Sequence, residues 1–221
     1  MIPEIEQEVK RRGISRLCHF TPSRNLVHIL TGEVGILATK HLRESERSVF
    51  TPTDLERWDR HEGHICCSVQ YPNAWYFAKA QADEKLFKDW VVLLIDSKYL
   101  WQDGVRFCPR NAAAGGGIYV TEGFTGFLSL FADRVEGAYG KARLRQRNHP
   151  LCCPTDDQAE VLVPDRIELA DILAIGVETE EQAQNELARL KYVDVPTKKL
   201  SFVIAPKFFD KYSLRRHVKI S

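Results

Sequence analysis

The 221-residue chain has neither a G-x-x-x-x-G-K nor a G-x-G-x-x-G run, so neither common glycine-rich phosphate loop is available to cradle a nucleotide. The run Gly115-Gly116-Gly117 is too weak a pattern to stand in for one. It has no C-x-x-C, which removes the usual scaffold of a structural zinc site. No apolar run approaches the roughly 20 residues that span a bilayer. The amino terminus, Met1-Ile2-Pro3-Glu4-Ile5-Glu6, lacks the basic start and apolar stretch of a secretory signal. Net charge is nearly absent as well, at +1. Internal repeats, low-complexity tracts and linkers are missing too. The expectation is one cytoplasmic, metal-free domain over residues 1–221, with no membrane contact.

What is present fits that class. A hydrophobic fraction of 44% and a charged fraction of 28% are those of an ordinary globule with a sizeable core. The six cysteines (Cys18, Cys66, Cys67, Cys108, Cys152, Cys153) fall in apolar segments or as adjacent pairs, so reduced thiols are expected. Cys152-Cys153 is read as structural.

Ile2, Ile5 and Val9 predict a short amphipathic helix ended by Gly13. Strands are predicted at Ser15 to Phe20, Ile65 to Gln70, Trp90 to Ile95, Gln158 to Val163, Leu173 to Val177 and Leu200 to Ala205. Helices are predicted from Thr21-Pro22-Ser23 to Gly32, over Ala78 to Phe87, Phe124 to Phe131 and Glu180 to Leu190, with Tyr71-Pro72-Asn73 as a turn. His41 to Gly63 reads as a long, partly helical loop. Strands with scattered helices, and no regular βαβ alternation, give the class α+β.

Charge is patterned although it sums to almost nothing. Arg134, Lys141, Arg143, Arg145, Arg147 and His149 face one acid, Glu136; Lys198, Lys199, Lys207, Lys211, Arg215, Arg216 and Lys219 face Asp210 alone. Such gathering suits a polyanion, and equally a solvated loop and a solubilising tail. The first cluster lies in Asp133 to Asp157, which has few periodic apolar positions. Loops of that length in a compact domain are usually functional or disordered.

The most informative residue is Glu160, alone in the apolar run Gln158-Ala159-Glu160-Val161-Leu162-Val163. Burying an unpartnered carboxylate costs several kcal/mol. Two readings fit: a strand end opening into a cleft with the acid facing a ligand, or the wet face of an edge strand with a Lys or Arg partner.

Four pieces in order resemble the DarT family, toxin enzymes that ADP-ribosylate DNA bases using NAD. They are Cys18-His19-Phe20-Thr21 with Asn25-Leu26 and Ile29; Ser68-Val69-Gln70-Tyr71-Pro72-Asn73; Cys108-Pro109-Arg110-Asn111-Ala112-Ala113; and Gln158-Ala159-Glu160-Val161-Leu162-Val163. Trp90 to Asp96 fits between the second and third, and the likeness covers roughly residues 15 to 180. The Tyr-Pro-Asn and Asn-Ala-Ala pieces resemble the guanine branch of the family rather than the thymine branch.

The resemblance implies an ADP-ribosyltransferase-like split, mixed β-sheet core with peripheral helices, clasping NAD in a cleft. It implies Glu160 as the catalytic carboxylate, holding the ribose 2′-hydroxyl and favouring the cation that develops as nicotinamide leaves. His19 and Thr21, alternating with Phe20, would share a face toward NAD, with Asn25, Ser68 and Tyr76 as further NAD contacts. Arg57 is the first choice for the diphosphate clamp and for catalysis, ahead of Arg47 and Arg60. Residues 133–157 would be the target-recognition loop, where Arg143, Arg145, Arg147 and His149 contact the acceptor. Asn111 would shape the cleft near the base, and Gln158, sharing a strand face with Glu160, would contact the base or ribose. Single-stranded DNA is the expected acceptor and a macrodomain antitoxin the expected partner. RNA is the rival acceptor, and a catalytically silent nucleic-acid-binding module the rival class.

Overall fold

Trp90-Val91-Val92-Leu93-Leu94-Ile95 is buried along its whole length, which requires sheet on both sides of it and cover on both faces. The computed structural model describes residues 2–31, 35–42, 59–84, 88–137, 141–198 and 200–214. Its elements in chain order are α1 (Ile2–Arg12), β1 (Arg16–Pro22), α2 (Asn25–Thr31), β2 (Ile36–Leu37), β3 (His64–Val69), α3 (Ala74–Asp83), β4 (Trp90–Asp96), β5 (Arg106–Cys108), β6 (Thr121–Glu122), α4 (Gly123–Ser129), β7 (Arg134–Glu136), β8 (Ala142–Leu144), β9 (Glu160–Pro164), β10 (Arg166–Ile167), β11 (Ile172–Val177), α5 (Glu180–Tyr192) and β12 (Phe202–Ile204). Eight strands form one sheet in the order β12-β11-β4-β1-β3-β9-β5-β6. Only β11 and β12 pair in parallel; the other neighbours are antiparallel, so the sheet is mixed.

The two faces are covered differently. One carries Leu17, Val91, Leu93, Ile95, Val161 and Val163, and receives the apolar sides of α1, α2, α4 and α5 through Ile5, Val9, Leu26, Phe127 and Leu190. The other carries Cys18, Phe20, Val92 and Leu94, and is covered by Phe208 with Tyr71 and Phe209. Gly176 makes room for this cover: a Cβ there would lie 3.1 Å from the Phe208 ring.

The sheet splits between β1 and β3. β1 pairs with β4 along all seven residues, but with β3 only at Leu17–Val69 and Cys18–Ser68. The remainder of β3, His64 to Cys67, pairs with β9 instead. Each strand is thus committed to its own outer neighbour, and the two part from His19 onward.

Local signals account for the helix ends. Gly13, at φ 67, ends α1 with its N–H on the Lys10 carbonyl, and Thr179 caps α5 by accepting the Gln182 N–H at 3.1 Å. Several expected boundaries differ. α2 begins at Asn25, because Pro22 is still paired with Trp90 as the last residue of β1. α3 begins at Ala74, not Ala78, because Asn73 caps it through the Tyr76 N–H. Residues 133–157 are no plain loop: β7 and β8 form a hairpin anchored by the buried Val135.

Gln70 fastens the closed end of the split. It adopts φ 64, its side-chain oxygen accepts the backbone N–H of Ser15 (2.9 Å) and Arg16 (3.1 Å), and its carbonyl accepts Arg16 Nε (3.0 Å). A buried acceptor serving two backbone donors leaves both without a partner when removed, at about 1–3 kcal/mol per lost group. Gln70→Ala is therefore expected to lower the unfolding free energy by about 2 kcal/mol or more in chemical denaturation. An unchanged denaturation midpoint and slope would refute the role of Gln70 as the fastener.

Candidate active site

Glu160 is the first residue of β9, an interior strand between β3 and β5. That position rules out the reading as an edge-strand acid facing water: Glu160 is only 8% exposed. Its Oε1 accepts from Asn73 Nδ2 at 3.1 Å and from Asn111 Nδ2 at 3.2 Å, and its Oε2 accepts the Ala112 backbone N–H at 3.0 Å. Three N–H donors offset much of the cost of burying the charge.

Each donor is delivered by a different piece of chain. Asn73 stands at the start of α3. Asn111 and Ala112 follow β5, whose last residue, Cys108, pairs directly with Glu160. Asn111 Oδ1 in turn accepts the Ala113 N–H at 3.0 Å, which closes a small turn over the carboxylate. Ser68, 6% exposed, pairs with Cys18 on β1 and lies one register step beyond the Cys67–Val161 pair. Cys18, Ser68, Glu160 and Cys108 thereby form one row on one face of the sheet. The Ser68 hydroxyl accepts the Asn73 backbone N–H at 3.0 Å.

His19 sits at the opening of the split, half-buried. Its Nδ1 donates to the Cys66 carbonyl at 2.9 Å, so the imidazole bridges the gap where the backbone ladder has ended. His19 and Thr21 do share a face, but strand alternation puts it opposite the face carrying Glu160 and Phe20. Thr21 is buried, and its hydroxyl accepts from Asn25 Nδ2 at 2.8 Å. Asn25, 6% exposed, leaves Oδ1 with no hydrogen-bond partner among the described residues.

The aromatic run after β3 divides among several tasks. Phe77 is core, edge-on to Phe20, Trp90 and Phe209 at ring-centroid separations of 5.5–5.6 Å. Tyr76 is half-buried, 6.1 Å from Phe20. Tyr71 packs edge-on against Phe208, and Trp75 donates its indole N–H to Asp157 at 3.0 Å.

Several expected contacts are placed elsewhere by the structure. Arg145 turns inward: Nη1 donates to the Cys153 carbonyl (2.9 Å) and Thr155 Oγ1 (3.2 Å), Nη2 to the Pro150 carbonyl (2.9 Å). It holds the loop together rather than facing a phosphate. His149 likewise donates Nε2 to the Pro154 carbonyl at 2.8 Å, and burial with the nearby Arg145 cation lowers its pKa, so it is not a phosphate-facing cation. Gln158 is not on the strand with Glu160. It lies in a turn before β9, its N–H held by Asp156 Oδ1 at 2.9 Å. Arg143 is half-buried and Arg147 exposed, flanking the outward-facing Leu144 at the end of β8. Arg57 and Arg47 lie outside the described residues; Arg60 is exposed at φ 59. All six cysteines are free thiols, with Cys152 and Cys153 Sγ 3.9 Å apart.

Two features were not anticipated from the sequence. One is the donor role of Asn73, hidden because Tyr71-Pro72-Asn73 reads as a turn; a proline followed by a capping residue and a helical run was the available signal. The other is Asp156, 4% exposed, whose pKa burial raises to about 6, with Asp157 beside it adding to the rise.

Comparison with known proteins places this arrangement. Among solved structures, DarT from Thermus sp. 2.9 in complex with NAD+ matches at 15% identity and a TM-score of 0.57, over 89% of this chain and 98% of that one. The same protein in complex with ADP-ribosylated ssDNA matches at 15% identity, with a TM-score of 0.58 over 90% and 97%. DarTG from Thermosipho africanus in complex with ADP-ribose also matches at 15% identity, with a TM-score of 0.53, over 88% of this chain and 51% of that longer one. At such identity these likenesses establish the fold. No curated protein matches the chain significantly. Residues 18–210, from the strand bearing His19 to beyond β12, match the family described as "ssDNA thymidine ADP-ribosyltransferase, DarT", and the chain belongs to that family.

Proposed function

We propose that the protein transfers ADP-ribose from NAD to a base of single-stranded DNA, with Glu160 as the catalytic carboxylate. The observation that carries this is a buried acid at the head of an interior strand, held by three N–H donors beside the mouth of a split sheet. Membership of the family and the NAD+ and ADP-ribosylated ssDNA complexes of the Thermus relative support it.

NAD supplies a ribose whose nicotinamide is already a cationic leaving group. The protein's task is to favour positive charge on that ribose and to keep water out. A carboxylate fixed by three donors does not have to reorganise as that charge appears, which is where preorganisation lowers a barrier. The remaining polar groups fit a bound nucleotide. Asn25 Oδ1 is a buried acceptor with no donor among the described residues, which a ligand hydroxyl or amide would satisfy. His19, Thr21, Phe20 and Tyr76 stand on or beside the strands that border the split. Arg57 remains the proposed diphosphate clamp.

The acceptor is met by the hairpin segment through Arg147 and Arg143, which supply affinity through phosphates without choosing sequence. An unpaired or extruded base is needed, since a base edge is shielded within a duplex. A macrodomain antitoxin belongs to the same reading, supported by the DarTG relative, of whose chain this one spans about half.

Incubating the protein with labelled NAD and either single-stranded DNA, RNA or protein tests the acceptor. Label is expected on DNA; label on RNA alone moves the assignment to the rival nucleic acid. Oligonucleotides carrying guanine or thymine as the one reactive base then separate the branch suggested by Tyr71-Pro72-Asn73 from the thymidine of the family description. Glu160→Gln is expected to lower the transfer rate on the order of 10²–10³-fold with little change in melting temperature. Arg147→Ala is expected to weaken single-strand binding and reduce the salt slope of log Kd by about one, whatever the sequence. A salt slope equal to that of the wild type would remove Arg147 from the interface.

A further inference from the structure

We propose that Asn73 is a positioning residue for the catalytic carboxylate, and that Ser68 acts on Glu160 through it rather than by touching the substrate. The inference rests on the reading of Glu160 given above and extends it to two residues with no assigned mechanical role.

Asn73 is 2% exposed, so its amide meets protein and not ligand. Both ends of that amide are committed. Oδ1 accepts the Tyr76 N–H at 3.1 Å, capping α3, and Nδ2 donates to Glu160 Oε1 at 3.1 Å. The cap fixes the orientation: the oxygen must face the helix N–H, so the amino group must face the carboxylate. The backbone N–H of Asn73 is in turn held by Ser68 Oγ at 3.0 Å. Two hydrogen bonds thus lead from β3 through the start of α3 to the head of β9, with the cap on Tyr76 fixing the amide between them. They tie the acid to a strand bordering the split, so that a displacement of α3 would be felt at the carboxylate. Asn111 reaches the same oxygen, but from a half-buried loop position and not from a helix cap.

The two functions of the amide can be separated. Asn73→Asp keeps the size and the capping oxygen, but replaces the donor facing Glu160 by a second carboxylate. Like charges that close raise the pH at which one of them ionises. A second carboxylate buried beside Glu160 is expected to lower the melting temperature, and in the enzyme that remains folded the acid limb of the kcat–pH profile moves up by about one unit. At a pH on that limb this is about a tenfold lower kcat. KM for NAD should move by far less, since the ligand does not touch Asn73. Asn73→Ser also keeps a capping oxygen but is too short to reach Glu160; losing that donor should lower kcat and move the acid limb up by less than Asn73→Asp does. Ser68→Ala should lower kcat in the same direction as Asn73→Ser.

A folded Asn73→Asp or Asn73→Ser enzyme with the wild-type kcat and pH profile overturns the inference. Glu160→Gln, measured alongside, tells this failure from a deeper one. If Glu160→Gln is inactive while both Asn73 variants behave as wild type, only the positioning role falls. If Glu160→Gln retains full activity, the reading of Glu160 falls and the inference with it.

Discussion

A carboxylate in the interior of a sheet survives only where enough N–H groups converge on it, and the architecture around Glu160 is what makes them converge. β9 pairs with β3 on one side and β5 on the other, so whatever follows those two strands is delivered to the first residue of β9. After β3 comes the cap of α3, bringing Asn73; after β5 comes the turn bringing Asn111 and Ala112. Register is the deeper constraint. A slip of one residue along β9 would exchange the face of Glu160 for that of Val161 and Val163, which point into the largest core cluster. The apolar residues that fix the register therefore also fix the acid, and core and chemistry are set by the same pairing.

How much of this was legible follows from the kind of signal each piece gives. An acid among Val, Leu and Val breaks the hydrophobic pattern, and a broken pattern is visible in one dimension. The strand bearing His19 and the apolar run Trp90 to Ile95 are legible from their apolar residues themselves. β5 is not, because three residues, Arg106 to Cys108, carry no periodicity of their own and become a strand only by pairing with β9. The early start of α3 is obscured because the aromatic run Trp75-Tyr76-Phe77 after the turn carries no helical periodicity of its own, while the deciding event is a cap made by Asn73. Gln158 was placed by counting alternation two residues back along a strand that begins only at Glu160. Local propensity cannot see where a neighbouring strand stops.

The basic segment shows a different limit. Arg143, Arg145, Arg147 and His149 alternate along four consecutive odd positions and look equivalent in sequence. In three dimensions they divide. Arg145 and His149 satisfy the carbonyls of Pro150, Cys153 and Pro154, and Thr155 adds a bond to the Ala132 carbonyl at 2.7 Å. The Arg12 guanidinium stacks on Phe131 at 4.0 Å and Arg145 approaches the same ring at 5.8 Å. Two cations are thus spent on shape, and the shape presents the other two. A bundle of like charges normally repels itself into an extended coil; here carbonyl oxygens and an aromatic face absorb part of the charge, and the segment closes against the body.

The split imposes the last requirement. Strands that part company expose backbone groups that must find other partners, and a gap in a sheet is stable only if its closed end is fastened and the first unpaired groups beyond it are bridged. Gln70 does the first, with one side-chain oxygen serving the N–H groups of Ser15 and Arg16. His19 does the second, its ring donating to the Cys66 carbonyl that the ladder has left behind. A side chain therefore takes over where the peptide ladder stops. A ligand entering there meets polar groups already oriented by the sheet. The histidine is therefore part of the frame before it is part of any binding site, and replacing it would leave the Cys66 carbonyl without the donor it has here.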